Sequence, residues 1–202
     1  PQSGPTSRTA MFRRRPTLAA IVLTGALMMP VGLYDAIWAI LMDDRGASTL
    51  FTGLTLSLYG VPFILLAPFG GKLADRHGPL RTLPLAILGV IGMIVLYGAL
   101  ETPGILMSFA MVEATFNAVA LPATQAAMAR ATEEHERALG FGVAAAAGQV
   151  SAGIAALIAA PVYAAQGQFF VFALLASAVA VVAAGGYVLL RSASTTTTIG
   201  AE

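Results

Sequence analysis

The chain has 202 residues, 57% of them hydrophobic and only 10% charged, with a net charge of +1 and a mean hydropathy of +0.81. Soluble globular chains carry about 25% charge, so an ordinary soluble enzyme, a disordered chain and a nucleic-acid binder are all disfavoured. Cysteine is absent, which excludes disulfides, thiol catalysis and thiolate-bound metals, and the expectation is an all-α polytopic membrane protein.

A membrane-spanning helix needs roughly 20 mostly apolar residues. In chain order, six segments qualify: Thr17 to Met42, Leu50 to Phe69, Thr82 to Leu100, Gly104 to Ala129, Leu139 to Ala164 and Gln168 to Leu190. They predict an arm over residues 1–16, a six-helix bundle over 17–190 and a tail over 191–202. Arm and tail are rich in Ser, Thr, Pro and Gly, so poor order is expected in both. The arm's arginines before an apolar run imitate a signal peptide, but five further spans favour a retained first helix. The chain begins with Pro rather than Met, from which a fragment or a processed end is expected.

Lys and Arg favour the cytoplasmic side of a bilayer. Six spans put ten of the eleven basic residues on one side, including Arg8, Arg13, Arg14 and Arg15 of the arm. Only Arg45 falls on the other side, beside Asp43 and Asp44. A miscounted helix would scramble this split. The expected layout is therefore a multi-pass protein of the cell membrane with both termini cytoplasmic.

In the first span, Thr24, Met28, Val31, Asp35, Trp38 and Met42 share one helical stripe. Asp35 is an acid inside a span, where insertion scales charge about 2.5–3.5 kcal/mol, and it is a functional candidate on that ground. Between the second and third spans the chain reads Gly71-Lys72-Leu73-Ala74-Asp75-Arg76-His77-Gly78-Pro79-Leu80-Arg81. Gly71 is expected to end a helix, Gly78 to take a positive φ, and Pro79 to open the next helix. Asp75 suits a helix N-terminus or an arginine, while Arg76 and Arg81 hold the loop at the cytoplasmic face.

This stretch resembles the cytoplasmic signature loop of the major facilitator superfamily of secondary transporters. In that family the loop joins the second and third helices of a six-helix half. The resemblance implies that Asp75 and Arg76 form a conformational latch, with Gly71, Leu73, Gly78 and Arg81 completing the signature. Two basic residues usually follow the second glycine; here Pro79 and Leu80 stand before Arg81, which implies a weakened latch. The family fold has twelve spans in two halves, each built from two inverted three-helix repeats, so the resemblance implies half of such a fold and a missing six-helix partner. The degenerate signature, the short tail with Arg191 and Glu202 as its charges, and the arginine-bearing arm favour the C-terminal half. Arg137-Ala138-Leu139-Gly140-Phe141-Gly142 is similar to the start of the eleventh helix of such transporters.

The fourth span carries the second intramembrane acid, Glu113, with Asn117 one turn away and Thr124 and Gln125 further along. Asp35 and Glu113 are expected at similar depths, roughly 10 to 14 Å below the outer surface at 1.5 Å per residue, and a shared cavity follows. Glu113 is the best candidate for a proton-coupled or cation-binding site. Acid, amide, Trp and Met together suit an amphipathic or cationic organic substrate. The fifth span has Gly140, Ala144, Gly148, Ala152, Ala156 and Ala160 at every fourth position, a small-residue ridge for close helix packing. Gln149 is its main polar exception, and it joins Asp35, Trp38, Glu113, Asn117 and Gln125 as residues expected on the substrate or proton pathway.

The expected function is transport of a small solute by alternating access, proton-coupled efflux of drug-like compounds being one form of it. Partners are then the solute, protons, the lipid bilayer and the missing half, with no nucleic acid, cofactor or metal. The alternatives are a non-transporting six-helix scaffold or assembly protein, a channel, and a membrane enzyme. A channel would show a filter or re-entrant loop. An intramembrane serine enzyme would need a base nearby, and both histidines, His77 and His135, are expected in charged loops.

Overall fold

The computed structural model describes residues 10–199, with side chains through Ala193. A 3-10 turn at Met11–Arg13 precedes α1 (Arg15–Asp44), α2 (Thr49–His77), α3 (Pro79–Tyr97), α4 (Pro103–Ala131) and α5 (Arg137–Ile199). Among the described residues there is no strand, and five helices are long and apolar enough to cross a membrane. Proline in the first turn helps start α1, α3 and α4, where a missing N–H is harmless. Ser48 caps α2 by accepting from the Phe51 N–H at 3.2 Å.

The sequence led us to expect six helices; the difference lies in α5, which is 63 residues long. Straight, it would reach roughly 95 Å at 1.5 Å per residue, about three times the hydrocarbon thickness of a bilayer. Gly167 breaks it, with φ 80° and ψ −178°, a backbone region open in practice only to glycine. Positions 148 and 186 are equidistant from this break in sequence, and both glycines press on the same stretch of α1. Gly148 faces Met28 and Thr24; Gly186 faces Leu23 and Val22. The two arms of α5 therefore lie back to back along α1.

Two apolar clusters hold the bundle. One joins Leu23 and Leu27 of α1 to Leu83 and Ile87 of α3 and Met128 of α4. The other joins Ile37, Trp38 and Leu41 of α1 to Ile94 and Tyr97 of α3 and Phe172 of α5. Small residues bring backbones together beyond what side chains would allow. A Cβ at Gly32 would lie 1.9 Å from the Ala152 carbonyl oxygen, and one at Gly70 would lie 2.0 Å from that of Ala118. The ridge on the first arm of α5 is thus the surface that packs on α1.

Each end of the bundle is tied by polar contacts. At the basic end, Arg14 meets Glu136 at 2.9 Å, and Met11 is fully buried next to Gly140. Arg130 donates to the Asp75 carbonyl at 3.4 Å, and Tyr187 donates to that of Leu80 at 3.3 Å. At the opposite end, Gln168 donates to the carbonyls of Tyr97 and Leu100 and accepts from Arg45, which also pairs with Glu101 at 3.7 Å. Tyr163 donates to Asp44 at 2.6 Å. The Gly167 break therefore sits beside the ends of α1 and α3.

Several local expectations are corrected. The α2–α3 connection is not a loop of eleven residues: α2 runs to His77, α3 begins at Pro79, and only Gly78 lies between them. Its φ of 79° lets two helices abut, as the sequence suggested. Gly71 does not end a helix; it lies within α2 with open space around it, and the close approach falls to Gly70. His77 is the last residue of α2 rather than a loop residue. The described part of the arm is held in place, because Met11 packs beside Gly140 at the start of α5 and Arg14 pairs with Glu136 on the α4–α5 connection; Arg8 lies outside the described residues. The expected tail continues α5 to Ile199.

Candidate functional site

Glu113 on α4 is fully buried and stands where four helices meet. Tyr34 of α1 donates its hydroxyl to both carboxylate oxygens, at 3.1 and 3.0 Å. Tyr97, the last residue of α3, donates at 2.8 Å. Asn117, one turn along α4, donates to Glu113 at 3.3 Å and to the Tyr59 hydroxyl of α2 at 3.0 Å. Hydrogen bonds to a charged group contribute about 1.5–3 kcal/mol each. Three donors therefore offset an insertion cost of roughly 2.5–3.5 kcal/mol for a charge at the centre of a span.

The carboxylate forms part of the wall of a cleft of about 370 Å³. Asp35, Trp38, Tyr34, Tyr59 and Tyr97 line it with Glu113. Edge-on ring contacts fix this wall: Tyr34 lies 5.9 Å from both Trp38 and Tyr97, and Trp38 lies 5.9 Å from Tyr97. Trp38 also donates to Thr55 at 2.9 Å, so its ring is locked to α2. Asp35 is exposed and makes no ion pair or hydrogen bond among the described residues. The cleft thus offers one caged acid, one open acid and four aromatic rings, and none of its lining residues is cationic. No cluster of three or more metal-ligating side chains occurs among the described residues.

Of the site residues expected from sequence, Asp35, Trp38, Glu113 and Asn117 come together here. Gln125 does not; it is exposed on α4 away from the cleft. Gln149 is exposed on α5, also away from it. Thr124 is buried and bonds the Leu121 carbonyl of its own helix. The α1 stripe is divided: Val31, Asp35 and Trp38 line the cleft, whereas Met28 packs on Gly148 and Met42 lies in the core. Of the signature residues, Asp75 and Arg76 are exposed at the end of α2, and the contact recorded at Asp75 is the one from Arg130 to its carbonyl.

Sequence reasoning missed Tyr34, Tyr59 and Tyr97 as members of this site. A hydroxyl within an apolar run was the available signal, since a buried Tyr O–H needs a partner. Gln168 was missed in the same way: it opens the second arm of α5 as a buried amide, and it anchors the break.

A bundle of apolar helices with a buried acid and a signature turn between α2 and α3 has a counterpart among known families. The family model of the Major Facilitator Superfamily matches residues 11–201. The chain belongs to this superfamily. Its members are membrane transporters, so this is a multi-pass membrane protein of a transporter family. Comparison with curated proteins gave no match.

Proposed function

We propose that the chain is one six-helix half of a secondary transporter of the cell membrane, moving a small organic solute by alternating access with proton exchange at Glu113. The observation that carries this reading is the cleft, with Glu113 caged in its wall and Asp35 open at its surface. Two acids, aromatic faces and no basic lining residue suit a cationic or amphipathic organic compound. Efflux is the direction we favour.

Six crossings are supported by the Gly167 break, since each arm of α5 is long enough to span and both lie along α1. Two inverted three-helix repeats are supported by the close approaches: exchanging the first and fourth spans, and the second and fifth, turns the Gly32–Ala152 contact into the Ala118–Gly70 contact. Cytoplasmic termini are supported by the basic residues gathered at that end. The degenerate signature favours the C-terminal half.

The test is Glu113→Gln in the full-length protein, with solute flux into liposomes measured against pH. The expected result is a flattened pH dependence and a slower rate. An unchanged profile at an unchanged rate would reduce Glu113 to a packing residue.

A further inference from the structure

A second groove, of about 380 Å³, lies away from the cleft, between the end of α2, the start of α3 and the middle of α4. Its two ends differ in chemistry. Arg81 and His77 stand at the basic end of the bundle, and the floor beyond them is formed by Ala86, Phe116 and Val119. No carboxylate lines it, and neither Arg81 nor His77 forms an ion pair among the described residues. The Phe116 ring lies flat on the backbone at Gly89, where a Cβ would approach within 2.3 Å of it. From Arg81 to Ala86 the groove therefore follows α3 for roughly 7 Å, at 1.5 Å per residue, and Phe116 closes it at Gly89. Leu85, 74% exposed, stands along its open side.

We propose that this groove binds an anionic phospholipid, whose phosphate meets Arg81 and His77 and whose acyl chain lies against Ala86, Phe116 and Val119. A lipid fits because the charges sit at the end of the bundle, at headgroup level, and the apolar trough runs inward from them. Basic pockets between spanning helices are a recognised mode of anionic headgroup binding. A packed protein helix would have to supply an acid for Arg81, which forms no ion pair among the described residues. The proposal gives Arg81 a role independent of the solute cleft, and it rests on membership of a membrane family rather than on the proposed transport.

The test is native mass spectrometry of the purified protein in detergent, titrated separately with dioleoyl phosphatidylglycerol, dioleoyl phosphatidylcholine and glycerol phosphate. The expected result is retention of one phosphatidylglycerol, with weaker retention of phosphatidylcholine and none of glycerol phosphate. Arg81→Gln should weaken phosphatidylglycerol retention roughly fivefold, the size of one basic contact near a membrane surface. Thr115→Trp, at an exposed lining position, should block the groove without changing its charge and reduce retention as well. Should Arg81→Gln fail to fold, Thr115→Trp alone decides. Equal retention of the two lipids, capture of glycerol phosphate alone, or retention unchanged in the variants would overturn the proposal.

Discussion

At the scale of single residues, the caged carboxylate dominates. Tyr97 makes the shortest bond to Glu113, at 2.8 Å, and comes from a different helix. Tyr97→Phe keeps the ring that packs on Phe172 and Trp38 but leaves a fully buried carboxylate one donor short. The expected cost is about 1–3 kcal/mol, read as a lower unfolding temperature in detergent at a pH where the wild type is folded. The loss should shrink in a Glu113→Gln background, since the two changes share one interaction. No such coupling would mean that the Tyr97 hydroxyl does not serve Glu113. Asp75 presents the opposite case. It is exposed and its side chain holds nothing in this bundle, so Asp75→Asn should express normally in the complete protein while turnover falls several-fold. Normal turnover would return Asp75 to an ordinary solvated residue. The acids themselves were legible in the sequence because a charge inside a span is costly. The tyrosine partners of Glu113 were harder to read, because a hydroxyl on an aromatic ring is a weak signal within an apolar run.

At the scale of helices, backbone proximity rather than side-chain shape decides who packs on whom. Gly32 meets a carbonyl oxygen of the neighbouring helix, and a backbone cannot rotate out of the way. Gly32→Val should cost at least the 1–3 kcal/mol typical of overpacking, lowering the unfolding temperature and separating α1 from the first arm of α5. Gly92→Ala in α3 is the matched control, since a Cβ there meets nothing within 4 Å. It should be neutral or stabilise by up to about 1 kcal/mol through helix propensity. Equal losses in both variants would rule out close packing as the reason for Gly32. The small-residue ridge of the first arm was readable from its four-residue period. The helix ends were less so: α2 gained two turns beyond the apolar run, because hydrogen bonding continues through polar residues until Gly78 offers a backbone that turns. Gly167 was placed between two segments by apolarity alone, and its conformation was invisible until the helix was seen to break there.

At the scale of the whole molecule, the burial pattern is one-sided. α1 and α4 bury long stretches, but α2 buries only Thr55, Gly70 and Ala74, leaving Leu56, Val61 and Leu65 exposed along it. Leu56 and Tyr59 of that helix, with Asp35 and Val31 of α1, form the open side of the cleft. Alternating access needs a site that each side reaches in turn, and a site walled on one side only is open to both at once. The 202 residues alone should therefore show no solute flux above empty liposomes when reconstituted as a monomer. Flux should appear when a second helical bundle closes the cleft, either from the same polypeptide or from a second copy. Cross-linking across position 56 distinguishes these, because a homodimer would join two Leu56→Cys chains and a longer polypeptide would not. Robust flux from a monomer that does not cross-link would mean that the cleft is not the transport path, and that the solute crosses within this one bundle.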